Sequence, residues 1–215
     1  MQIRSFIIAY ALLLAILLFA DRRPNPTQQN RYSHIVDLTV AENAAEKRLP
    51  VSSRTQIIAP DALIPGTWTA GQIPPERLIA PLVVMDLNVA PPEQISLDDV
   101  ANWESAHGAI PPGAVVAIRN KNAAAIPAAA QLPITDDAAQ FLMDARYTLG
   151  FAVESTAQVK ENRSLARQLA LHGDFVLEQT AKLSAIPPTG SLIVVAPAKN
   201  KNAGTAPVRV LAMVR

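Results

Sequence analysis

The run PLVVMDL at residues 81–87 constrains the fold more than any other stretch of the chain. It is continuously apolar and of strand length, and it reads as a central strand. Further strands are AVVAIR at 114–119, SLIVVAP at 191–197 and APVRVLAMV at 206–214. HIVDLTV at 34–40, Ser52 to Ile58, FAVES at 151–155 and DFVLEQ at 174–179 read the same way. Three helices stand between them. Ser96 caps LDDVANWESA, with Asp99 at the reciprocal capping position. Thr135 caps a helix predicted to run to Gly150, and NRSLARQLALH at 162–172 is closed by Gly173. Residues 41–50 read as loop or short helix, 64–78 as a Gly- and Pro-rich loop, and Ala-rich 122–133 as a flexible loop. Strands outnumber helices and their order is irregular. The expected class is α/β with a mixed sheet, not a doubly wound parallel one.

Composition limits the chemistry. Half of the 215 residues are hydrophobic and 17% are charged, enough apolar material for one ordinary domain core. The net charge of +1 carries no basic stripe, so no nucleic-acid partner is expected. The absence of cysteine excludes disulfides, thiolate metal sites and a Cys nucleophile. His34, His107 and His172 are far apart, and none has a second ligand at zinc spacing.

Residues 5–20, SFIIAYALLLAILLFA, are apolar throughout. Sixteen helical residues span roughly 24 Å, short against a hydrocarbon core of about 30 Å. A signal peptide would be cut after Ala20, but Leu18 at the −3 position fits the small-x-small rule badly. The expectation is an uncleaved transmembrane anchor over 1–23, with Phe6, Ile7, Leu12, Leu13, Leu14, Leu17, Leu18 and Phe19 facing lipid or partner helices. Residues 24–33 form the linker and 34–215 the domain. The α-amino group and Arg4 nearly balance Arg22 and Arg23; an inside N-terminus would place the domain in the periplasm, on a bacterial inner membrane.

Six segments, in this order, resemble the cyclase family of metal-dependent hydrolases, which includes kynurenine formamidase and isatin hydrolase. They are DLT at 37–39, IPPERLIAPLVVMDL at 73–87, IPPGAVVAIR at 110–119, LGFAVES at 149–155, VLEQTAKLSAIPPTG at 176–190 and APAKNKNAGTAPVRV at 196–210. The resemblance implies a swivelling β/β/α domain over 34–215 and a divalent metal held by the signature H-x-G-T-H-x-D-x-P-x-H.

That signature falls on SSRTQIIAPDA at 52–62. Thr55 and Pro60 match it. The ligand positions hold Ser52, Gln56, Ile58 and Ala62 instead, and Arg54 replaces the Gly. A further family His falls on Ala166, twelve residues before the retained Glu178. Arg119 survives from an R-T-G-W stretch that here reads RNKN. No histidine stands between residues 35 and 106, so no shift of alignment restores the set. A catalytic zinc needs neutral imidazoles and carboxylates to hold it and to lower the pKa of its water to about 7. Ser and Gln are poor ligands, and Ile and Ala are none.

The expectation is therefore no catalytic residues, no metal and no cofactor, with Arg54, Glu154 and Glu178 left around the former pocket. Arg54 is predicted to pair with Glu178 in place of the metal, with Gln56 assisting. Glu154 and Glu178 as a carboxylate pair, and Ser52-Ser53 as nucleophile, are weaker readings, the latter because no His base is near. The leading function is a non-catalytic, membrane-anchored subunit of an integral membrane assembly, respiratory or photosynthetic. Self-association is compatible with it. The alternatives are a small-molecule binding module and a hydrolase with a remodelled, metal-free site.

Overall fold

A computed structural model describes residues 32–40, 54–87, 94–120, 129–130 and 132–215. The expected anchor over 1–23, the linker to residue 31, the segment 41–50 and Ser52-Ser53 lie outside these residues. No helix among the described residues is long and apolar enough to cross a membrane.

The elements in chain order are β1 (His34–Asp37), β2 (Gln56–Ile58), α1 (Pro60–Leu63), β3 (Ile79–Leu87) and α2 (Leu97–His107). There follow β4 (Val115–Asn120), β5 (Ala129–Ala130), α3 (Asp136–Arg146), β6 (Gly150–Val153), β7 (Thr156–Ala157) and α4 (Arg163–His172). The chain ends with β8 (Phe175–Glu178), β9 (Ser191–Pro197) and β10 (Thr205–Val214).

The expected mixed sheet is present, and it closes. Seven strands run β10-β2-β8-β6-β4-β3-β9, and β9 returns to β10. Closure rests on the length of β10. Its first part pairs with β2 at Thr205–Pro207, and Val208–Met213 pairs with β9. β1 adds to its last residues, His34 opposite Val214. Within this sheet the β3–β4, β4–β6 and β6–β8 pairs are parallel, and the others are antiparallel.

Burial follows from this arrangement. Parallel strands covered on both faces are apolar without alternation, as in β6 and β8, whose residues are all buried. β10 alternates exposed and buried residues, the mark of a strand with one wet face. Successive side chains of β2, β3, β4, β6 and β8 feed two cores. Ile57, Leu82, Val84, Val115, Ala117, Phe175, Leu177 and Val210 fill the barrel. Ile58, Val83, Met85, Val116, Ile118, Phe151 and Val176 point outward, where Val100, Leu142, Leu165 and Leu169 of the helices cover them.

The helix ends test the capping expectations. The Ser96 hydroxyl accepts from the Asp99 N–H at 3.2 Å, and the Asp99 carboxylate accepts from the Ser96 N–H at 2.9 Å. Gly173 closes α4 in the left-handed region, φ 73°, where a side chain is strained. Two expectations need correction. Thr135 does not cap α3 through its side chain, whose hydroxyl is turned towards the Asp137 carboxylate and the Ile95 carbonyl. That helix stops at Arg146, with Tyr147 in the left-handed conformation at φ 51°, before Gly150 is reached. Gly150 instead opens β6, where a Cβ would stand 2.2 Å from the Phe175 carbonyl oxygen. The Ala-rich stretch is also not loop throughout, since Ala129–Ala130 pairs in parallel with Thr156–Ala157.

Candidate functional site

The signature segment forms β2 and α1, in the barrel wall between β10 and β8. Thr55, which matches the family pattern, is buried just before β2. Its hydroxyl donates to the Gln179 carbonyl at 2.5 Å and accepts from the Val40 N–H at 2.8 Å. That residue joins three segments and is retained for structure. Pro60 opens α1 at a position where its missing N–H costs nothing. Gly204 lets the loop before β10 close on this turn: the Ala59 N–H donates to the Gly204 carbonyl at 2.8 Å, and a Cβ there would meet the Ala62 nitrogen at 2.7 Å.

The positions singled out by the signature converge on the outer face of the wall. Gln56 is the direct cross-strand neighbour of Glu178, and Ile58 that of Val176. Ile58 and Ala166 belong to the same buried cluster, and Ala62 packs against it. Three of the five described positions therefore hold side chains without any donor atom. Ser52, the remaining one, lies outside the described residues.

Glu178 ends β8 and is 8% exposed. One carboxylate oxygen accepts from the Ala157 N–H at 3.1 Å. Burial pushes the carboxyl above its ordinary value, against the opposing pull of that N–H and of the Lys160 charge. The next residue, Gln179, sits at φ 53°, a left-handed conformation held by neighbours on both sides. Its amide donates to the Thr156 hydroxyl at 2.9 Å, and its N–H to the Ser155 carbonyl. The expected Arg54–Glu178 pair is not the one that forms: the Glu178 carboxylate is engaged by Ala157, and the cation acting on it is Lys160. The chain bends at Arg54, ahead of the strand, so the alternation that carries Gln56 to Glu178 does not extend to it.

Glu154 does not join Glu178 as a pair either. Its carboxylate accepts from the Leu183 N–H at 3.1 Å, and Leu183 packs with the barrel interior. It belongs to a second polar group at the ends of β3, β4 and β6. Arg119 forks onto Asp86 at 2.5 and 2.8 Å and reaches the Leu183 carbonyl at 3.3 Å. The hydrogen bond to Asp86 raises the Arg119 pKa further, so this guanidinium is permanently charged. Retention of Arg119 is explained by this bridge between strand ends.

Spacing also hid a feature of the sequence. A cavity of about 400 Å³ lies between α1 and α4, lined by Ala62, Leu63, Ile64, Lys160, Arg163, Ala166 and Arg167. Its three cations are spaced three and four residues apart, the signal of one helical face, but Lys160 precedes the helix in a separate 3₁₀ turn, Val159–Glu161.

At the signature positions the described donors are one amide, Gln56, and one carboxylate, Glu178, already committed to a backbone N–H. No group of three or more His, Cys, Asp or Glu residues among the described residues has the arrangement of a metal site. That donor set does not fit a divalent hydrolytic metal.

The Cyclase family model matches residues 25–158, more than half of the chain, and the chain belongs to that family. Solved structures agree with the fold. Isatin hydrolase A from Labrenzia aggregata, bound to benzyl benzoate, superposes with a TM-score of 0.65 at 24% identity, covering 89% of this chain and 88% of that one. Isatin hydrolase A from Ralstonia solanacearum gives 0.65 at 22% identity, covering 96% and 97%. A potential metal-dependent hydrolase with cyclase activity gives 0.64 at 23% identity, covering 85% and 98%. A search of the curated proteins found no match.

Proposed function

We propose that this chain is a non-catalytic member of the cyclase family, acting through its surface as an accessory or structural subunit of an integral membrane assembly. The observation that carries the first part is the apolar character of the signature face. Ile58, Ala62 and Ala166 pack as core where metal ligands would be required, and Glu178 is held by the Ala157 N–H. Without a metal-bound water or a histidine base the described site has no activated nucleophile, and its one carboxylate, Glu178, is committed to a backbone N–H. Fold and activity are separable, and a fold that has lost its chemistry keeps its surfaces.

The second part rests on residues 5–20. An apolar helix of that length is marginal alone, and packing against other membrane helices relieves the mismatch. A periplasmic domain on a bacterial inner membrane is the topology proposed, and a respiratory or photosynthetic complex is the kind of host. The test is extraction of native membranes in mild detergent, followed by native gels, mass spectrometry and an isatin hydrolysis assay. The proposal expects the chain to migrate with membrane subunits and to leave isatin intact. Recovery only as a soluble protein beginning at residue 21 would overturn the anchor. Chelator-sensitive turnover would overturn the loss of catalysis.

A further inference from the structure

The cavity between α1 and α4 gathers three cations, of which Lys160 alone has a described acid acting with it, the buried Glu178. Lys160, Arg163 and Arg167 line it, all three exposed at its rim, with Ala62, Leu63, Ile64 and Ala166 beneath them. No acidic residue is among the described residues that line it. Neither Arg163 nor Arg167 has an ion pair among the described residues. Asp136, on the adjacent α3, has its carboxylate occupied by the Asn162 side chain at 2.7 Å. Like charges four apart on a helix repel, and here a third stands one turn ahead. Such a group costs stability when no anion joins it, and it focuses positive potential into a recess with apolar walls.

We propose that this cavity binds a small organic phosphate monoester, the two guanidinium forks and the Lys160 ammonium taking its oxygens and the apolar floor taking its carbon body. The volume of about 400 Å³ suits one small ligand. Guanidinium matches phosphate oxygens two at a time, and a monoester carries close to two negative charges at neutral pH. Three cations answer that charge better than they answer a single carboxylate. The inference rests on the metal-free reading of the site, because Ala62 and Ala166 line this cavity where the family would set metal ligands. The phosphate could arrive on a free metabolite or as a lipid head group.

The experiment is calorimetric titration of the full chain, in a non-ionic detergent, with phenyl phosphate, with phenol, and with phosphatidic acid in mixed micelles. Phenyl phosphate is expected to bind and phenol not, with affinity falling as salt rises. Arg163→Gln and Arg167→Gln should each weaken binding by about tenfold or more, with unchanged melting temperature. Arg163→Lys should lose less than Arg163→Gln, since charge remains while the fork is gone. Stronger binding of phosphatidic acid assigns the phosphate to a lipid, and stronger binding of phenyl phosphate assigns it to a free ester; either supports the site. Absence of binding by both, or binding that the arginine variants leave unchanged, would overturn it. Retention of zinc would count against the metal-free reading alone and would leave a positive phosphate titration standing.

Discussion

Asp174 immediately precedes β8 and Glu178 ends it, and both are buried acids. Their surroundings differ. Asp174 is held by the Arg77 guanidinium at 3.0 Å and the Thr148 hydroxyl at 3.2 Å. Arg77 also donates to the Gly173 carbonyl and lies over the Trp68 ring, 5.6 Å from its centroid. Glu178 has one backbone N–H and a more distant lysine. Dedicated partners at one end and a single donor at the other separate a clasped acid from a loosely held one. One end of the strand is a clasp, whereas at the other the Glu178 carboxylate has a single backbone donor.

The sharpest contrast is in pH. Burial pushes the Asp174 carboxyl up to about 7, against the pull of Arg77 and Thr148. Its unfolded value is about 3.9. A folded pKa above the unfolded one means the native state holds the proton more tightly, so this contribution is full below pH about 4 and is lost as pH rises to about 7. At most the loss is about 1.4 kcal/mol per pH unit, or about 4 kcal/mol over the interval. Urea unfolding across that range should show this slope in the native chain and a flatter one in Asp174→Asn. Glu178 shifts in the same direction, so Glu178→Gln should remove a smaller slope above its ordinary value. Equal slopes in Asp174→Asn and the native chain would remove Asp174 from the account.

Arg77→Ala comes next. At pH 8, with the carboxylate ionised, it should cost about 3 kcal/mol by leaving a buried charge without its partner. Adding Asp174→Asn should recover part of that loss, and additive losses would show that the two residues act independently. Gly204→Ala probes the other end. Its Cβ would press on the α1 backbone, and denaturation should report a loss of about 2 kcal/mol. Glu178→Gln should do least, within about 1 kcal/mol at neutral pH, since the amide oxygen still accepts from Ala157. A cost as large as that of Arg77→Ala would make Glu178 a clasp too and erase the contrast.

Local chemistry carried much of the fold into the sequence. Ser96 with Asp99, and Gly173, announce helix ends because side-chain reach and φ are local properties. Tyr147 gave no such signal: a bulky residue has no preference for positive φ, and this exposed one takes it as the helix closes, its N–H donating to the Leu142 carbonyl. Barrel closure was equally silent, since it depends on β10 pairing with β2 at one end and β9 along the rest, contacts distant in sequence. At the site, the alignment of Gln56, Ile58, Ala62, Ala166 and Glu178 on one face followed from the family resemblance. The partners of Glu178 did not, because the Ala157 N–H meets its carboxylate only once β7 and β8 are side by side.

The most direct test of the central claim is the metal content of the full chain, purified from cells grown with zinc and manganese and then dialysed. A native site saturated a hundredfold above its Kd would add about 2.7 kcal/mol of stability, visible as a raised melting temperature. The account predicts metal far below one equivalent and no change in melting temperature when zinc is added. One equivalent retained through dialysis, with melting raised by zinc and lowered by Glu178→Gln, would contradict it.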